Sequence, residues 1–375
     1  MLKLAVMWLA AQVGTSLPLG KPIPQVVCAA DPSQSYALYL PSNYSTDRTW
    51  PVIFGFDPGG RGGTPVDRYQ AAAERYGYVV VGSNNSRNGA TDTASVVSML
   101  TSDVLSRFRI DPRRIYAAGM SGGARVALGV GLGSRGIAGV MASSAGYPDG
   151  KLRKTLSFPL YMTAGTEDFN HLEMRMVDRE LGSPHHLAVF EGGHTWLSSD
   201  LAMNAVEWME VQAMKSGAAP RNEAELDQIF ARRLASADAD KDDLAKYLAL
   251  QSLADDFRGV KDVTQLADRS GALAREKNVR AALKRARDED DREARMLDDI
   301  RSAESRLTID DVRLATLVEL RQRWKELADT ARKADDSAER RLARRVLSNL
   351  SASVATTDAD YLKIIATYRT GRGGR

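Results

Sequence analysis

Few residues in this sequence could do covalent chemistry, and one serine stands apart. Ser121 lies in Gly119-Met120-Ser121-Gly122-Gly123, between an apolar run at 115–118 and a helix-like stretch through Val126 and Leu128. In a strand–turn–helix setting this G-x-S-x-G spacing forces the serine into a sharp turn and pushes its hydroxyl out above a sheet. The start of the following helix favours negative charge at the same point. A glycine-rich chain produces the bare pattern by chance on the order of 0.1–0.2 times, so the serine needs independent support. A hydroxyl is a weak nucleophile at neutral pH and requires a base, itself oriented by a carboxylate. The chemistry to look for is attack on a carbonyl, with an acyl group passing through serine.

With the serine on a middle strand of an open sheet, the acid and then the histidine should each follow a later strand. The run at 160–164 is followed by Gly165-Thr166-Glu167-Asp168-Phe169-Asn170, and the run at 187–190 by Glu191-Gly192-Gly193-His194-Thr195-Trp196. Asp168 and His194 therefore stand where the order requires. Glu167 is the alternative acid, and Asp168 is preferred because the next helix begins there. Of the other histidines, His171 is expected on the surface of that helix, and His185 and His186 at a strand start in structural or exposed positions.

Acyl transfer also needs donors for the developing oxyanion. The N–H of Gly122 is one candidate. The second should come from Asp57-Pro58-Gly59-Gly60-Arg61-Gly62-Gly63, where Pro58 has no N–H and Gly59 or Gly60 is expected to donate. The polar stretch 83–89 follows a strand at the same end, so Asn84 and Asn85 are substrate-binding candidates, the alternative being a plain connection. Trp196, beside the base, is expected to pack against substrate or to serve as a core or rim aromatic.

These residues must be carried by elements, and the pattern supplies them. Short strands are expected at 36–40, 51–56, 78–81, 115–118, 137–142, 160–164 and 187–190. Helical spacing falls at 67–76, 91–108, from 122, from 168 and at 199–215. Strands alternating with helices predict an α/β, doubly wound and mostly parallel sheet, with ligands at the carboxyl ends of its strands.

In these features the chain resembles the α/β-hydrolase superfamily, nearest to the esterases around polyhydroxybutyrate depolymerases, feruloyl esterases and dienelactone-hydrolase-like enzymes. The resemblance rests on the loop 56–63, the turn 119–123, the acid loop 165–170 and Gly193-His194, and it spans 36–215. It implies a Ser-His-Asp triad, no metal or other cofactor, and a small-molecule or polymeric ester as substrate. Two departures stand out. Phe56-Asp57-Pro58-Gly59-Gly60 replaces the His-Gly-Gly run of many relatives, and Ser121 stands where dienelactone hydrolases often carry cysteine. A peptidase or acyltransferase on the same triad, and a helical interaction protein with an inactive hydrolase fold, are the rival readings.

The rest of the chain is of a different kind. Residues 1–216 hold 24 of the 30 glycines and 12 of the 13 prolines, with 19 Lys+Arg and 18 Asp+Glu; residues 217–375 hold 32 and 30. Three segments are expected: 1–30 as signal peptide and N-terminal extension, 31–216 as the catalytic α/β domain, and 217–375 as a charged all-helical domain. Helices are expected at 223–235, 242–256, 263–286, 289–305, 309–334, 338–350 and 359–367, with Leu314, Leu317, Leu320, Trp324 and Leu327 on one apolar face. The acidic run 288–291 reads as a solvated face. The basic run 340–345 lacks interleaved aromatics, so nucleic acid is not an expected partner. The helical part is left as a lid, an oligomer interface or a docking site for another protein. One lysine, the apolar run 4–11 and small residues to Ser16 fit a short secretory signal and a secreted or periplasmic protein, the alternative being cytoplasmic. The run is too short to span a bilayer. A single cysteine, Cys28, excludes a disulfide scaffold and any site of several thiolates. The net charge of +3 gives no case for a nucleic-acid partner.

Overall fold

A computed structural model describes residues 17–354 and 356–369. The expected signal sequence at 1–16 and the tail 370–375 lie outside the described residues.

Eight strands form one sheet: β1 (Ile23–Val27), β2 (Ser35–Tyr39), β3 (Trp50–Phe56), β4 (Val79–Ser83), β5 (Ile110–Met120), β6 (Ile137–Ser143), β7 (Leu160–Gly165) and β8 (His185–Phe190). Their spatial order is β1-β2-β4-β3-β5-β6-β7-β8, antiparallel at β1–β2 and β2–β4 and parallel thereafter. This is the α/β-hydrolase arrangement, with the serine-bearing strand β5 in the middle. The sequence pattern passed over β1, whose Ile-Pro-Gln-Val-Val has one buried residue, as befits an edge strand.

Side-chain alternation along the strands builds two apolar layers. Val52, Phe54 and Phe56 of β3 face α2 (Thr93–Arg107), α3 (Gly122–Gly133) and α4 (His171–Glu180) through Leu100, Val104, Leu128 and Val177. Ile53, with Val80, Tyr116 and Met141, faces α1 (Gly63–Tyr76) and α5 (Ser199–Ser216) through Val66, Tyr69, Val206 and Met209. Each fully buried aliphatic or aromatic side chain contributes about 1.5–3 kcal/mol relative to exposure, so the sheet is held on both faces.

Among the described residues seven α-helices follow: α6 (Glu223–Ala239), α7 (Asp243–Phe257), α8 (Thr264–Arg275), α9 (Lys277–Ser305), α10 (Asp310–Ala331), α11 (Ala338–Ala352) and α12 (Ala359–Tyr368). Their apolar clusters reach back into the sheet's own helices. Val211 and Met214 of α5 pack with Leu226, Leu250 and Phe257. Leu172 of α4 belongs to the cluster of Leu320, Trp324, Leu347 and Tyr361. Three expectations need correction. The helix expected at 263–286 ends at Arg275, because Glu276 is extended (φ −63°, ψ 139°), and α9 then runs unbroken through the acidic stretch. That stretch is not wholly solvated, since Asp290 is buried and faces Arg175 and Arg179 at 3.5 and 3.6 Å. Leu314 leaves the apolar face of α10 and is 75% exposed, while Leu317, Leu320, Trp324 and Leu327 are buried.

Candidate active site

Ser121 occupies the one-residue turn between β5 and α3 with φ 55° and ψ −122°, a conformation disfavoured for a side chain. Close packing makes room for it. A Cβ at Gly119 would come within 2.1 Å of the Gly123 carbonyl oxygen, and one at Gly123 within 1.9 Å of the Phe56 oxygen. Both glycines are therefore required by the approach of strand, turn and helix. The Ser121 N–H is held by the Ser143 carbonyl at 2.8 Å.

The acid and base loops are stitched to each other. Thr166 N–H donates to the Phe190 carbonyl (2.9 Å) and Glu167 N–H to the Gly192 carbonyl (2.8 Å). Asp168 is fully buried, and its Oδ1 accepts from the Asn170 N–H and from His194 Nδ1, each at 2.8 Å. With Nδ1 facing a carboxylate, the imidazole carries its proton there, which leaves Nε2 to accept from the Ser121 hydroxyl at 2.8 Å. Ser121, His194 and Asp168 thus form one hydrogen-bonded chain at the carboxyl end of the sheet. Glu167 points elsewhere, to Arg344 at 2.9 Å.

Phe169 stacks on the His194 ring, 3.9 Å between centroids at 29°. Sequence reasoning missed it, although an aromatic next to the acid was a readable signal. It also missed Ser144, buried at φ 60°, whose hydroxyl donates to the Thr195 carbonyl (3.1 Å) and steadies the base loop. Asp57 was seen only as part of a departure from the family pattern. Its buried carboxylate accepts from Gly59 N–H (2.8 Å), Arg61 Nε (2.9 Å) and Trp196 Nε1 (2.8 Å), tying the β3 loop to the base loop. Burial works against its charge, but the bonds from Arg61, Trp196 and Gly59 outweigh that and hold the carboxyl below its ordinary range.

Several expected site residues make hydrogen bonds within the scaffold. The N–H of Gly59 is spent on Asp57 Oδ1 and that of Gly60 on the Asp57 carbonyl (3.0 Å), so neither is presented to a ligand. Asn84 Oδ1 accepts from Gly62 N–H (3.1 Å) while its Nδ2 donates to Ser35 Oγ (3.2 Å). Asn85 bridges the Ser35 N–H (2.9 Å) and the Ser33 carbonyl (3.1 Å). Trp196 is buried with its N–H on Asp57. The residue of the 83–89 stretch that lies against Gly122, next to the serine, is Asn88. Its amide lies over Gly122, where a Cβ would meet Oδ1 at 1.7 Å and Nδ2 at 3.1 Å. His171 is not a free surface residue, for its Nδ1 lies 3.0 Å from the Gly165 carbonyl.

Among the described residues no three His, Cys, Asp or Glu side chains gather to hold a metal ion, and no helix is long and apolar enough to cross a membrane.

No family model matches the chain, and no protein of curated function matches it. Solved structures similar to it include a propionate-bound esterase, Est2, from Thermogutta terrifontis, at 15% identity over 50% of this chain and 92% of that one, with a TM-score of 0.39. An S-formylglutathione hydrolase from Agrobacterium tumefaciens overlaps at 15% identity, 48% and 89% coverage and a TM-score of 0.37. An acylaminoacyl peptidase from Pyrococcus horikoshii does so at 15%, 47% and 39%, and 0.36.

Proposed function

We propose that the protein is a serine hydrolase that cleaves carboxylic esters through an acyl-enzyme. The observation that carries this reading is the chain of two 2.8 Å hydrogen bonds from the Ser121 hydroxyl through His194 to buried Asp168. In the proposed reaction His194 Nε2 takes the Ser121 proton as Oγ attacks the ester carbonyl. The carbonyl electron pair moves onto oxygen, and the imidazolium is paired with Asp168. Collapse expels the alcohol, which leaves with the proton held on Nε2. A water then gives its proton to Nε2 and attacks the acyl-enzyme, and Ser121 is restored as the acid departs.

The Gly122 N–H, at the first turn of α3, is one oxyanion donor in this reading. With the N–H groups of Gly59 and Gly60 committed to Asp57, the second donor in this reading is Nδ2 of the Asn88 amide, which lies beside Gly122. The experiment is hydrolysis of a small chromogenic ester by wild type and Ser121→Ala. The variant should retain the fold by circular dichroism and lose activity by roughly four orders of magnitude or more. Undiminished turnover would refute the reading. Esters of increasing acyl length, with matched anilides, then define the substrate class.

A further inference from the structure

We propose that helix α11 is a positioning element of the active site, holding the acid loop 165–170 through Arg344, Arg345 and Asn349; this rests on the triad reading above. Asp168 is the loop residue that hydrogen-bonds the base, and its neighbours on both sides are gripped by α11. Arg345 Nη1 donates to the Thr166 carbonyl at 2.8 Å. The Arg344 guanidinium meets both carboxylate oxygens of Glu167, at 2.9 and 3.0 Å, and Arg340 lies 3.5 Å from the same group. Asn349 Nδ2 donates to the Phe169 carbonyl at 3.0 Å. Residues 166, 167 and 169 are thereby fixed from outside while Asp168 faces inward to His194 Nδ1. Phe169, held by its own carbonyl, stacks on the imidazole. One helix thus reaches both groups that orient the base.

The grip is itself anchored. Arg345 is buried and paired with buried Glu293 of α9 (Nε at 2.8 Å), and Arg344 Nε donates to the Ala331 carbonyl at the end of α10 (3.0 Å). An arginine held at several points is pre-organised, so it restrains a loop better than a free side chain could. Glu293 of α9 and the basic run on α11 therefore act together on the loop. Without α11 the loop would keep its backbone bonds to the base loop, but Asp168 would sample a wider range of positions. A triad displaced by about 1 Å loses on the order of a hundredfold in rate.

The test uses the full chain carrying Arg344→Ala with Asn349→Ala, beside Glu167→Gln, which attacks the same contact from the loop side. Arg341→Ala is the control, since Arg341 pairs with Asp336 and not with the loop. Melting temperature is measured first, then kcat, KM and the pH profile of kcat/KM on a small ester. The double variant should lose about tenfold or more in kcat with KM within twofold of wild type. Its pH profile should change as well, because a displaced Asp168 pairs less well with the imidazolium that forms during the reaction. Glu167→Gln should show the same pattern in weaker form, and the control should match wild type. A folded double variant with wild-type kcat and an unmoved profile overturns the role of α11 alone, whereas an inactive wild type would remove the triad reading beneath it.

Discussion

At the scale of single residues, the strained serine and its two partners carry the proposed chemistry, and the polar atoms around them bear on where an oxyanion would be held. Ser121 keeps a left-handed backbone because Gly119 and Gly123 let carbonyls approach where any Cβ would collide. Gly123→Ala should therefore be poorly soluble or lose the cooperative melt, since the obstacle is the Phe56 carbonyl and not a flexible side chain. Asn88 is the sharper test. If its amide donates to the oxyanion, Asn88→Ala should lower kcat by about 10²-fold with little change in KM or melting temperature; a kcat within threefold of wild type would assign the second donor elsewhere. The order Ser121, Asp168, His194 was legible from spacing because each follows a strand. The fate of Gly59, Gly60, Asn84, Asn85 and Trp196 was not, because it depends on which partner each polar group finds in the fold, and Asp57 takes the N–H groups of Gly59, Gly60 and Trp196.

Among the elements, strands buried on both faces were the easiest to read and amphipathic helices in the charged half the hardest to delimit. The break at Glu276 carries neither Gly nor Pro, so local chemistry does not announce it. The exposure of Leu314 likewise follows from which side of α10 meets its neighbours, not from its own spacing. Two histidines link element packing to pH. Burial, aided by nearby Arg345, pushes His171 down to about 4, and burial pushes His186 to about 4. Unfolded, each takes a proton near the ordinary 6.5. Between those values the unfolded chain binds protons that the folded one refuses, so stability present above 6.5 is lost as pH falls toward 4. His185 opposes this, because Asp178 and local carbonyls outweigh burial and raise it. Thermal melts from pH 7.5 to 4.5 should show a falling melting temperature, and His186→Phe, which can keep the stack on Tyr161, should flatten the fall. A His186→Phe profile as steep as wild type would remove His186 from the account.

At the scale of the whole molecule, the contrast between a glycine-rich first half and a charged second half was plain in the sequence, but their mutual dependence was not. The contacts that join them pair residues as far apart as 180 positions, beyond the reach of any local pattern. Arg344, Arg345 and Asn349 read as ordinary helix surface until the fold brings them to the acid loop, and the acidic run 288–291 hides the inward-facing Asp290 among exposed neighbours. The claim on which everything depends is that Ser121 is a nucleophile activated by His194. The most direct measurement is labelling of the intact protein with a fluorophosphonate, located by peptide mass spectrometry in wild type and in His194→Gln. Stoichiometric modification of Ser121, slowed by several orders of magnitude in the variant, is the expected result; an unmodified Ser121 in the folded wild type would contradict the account.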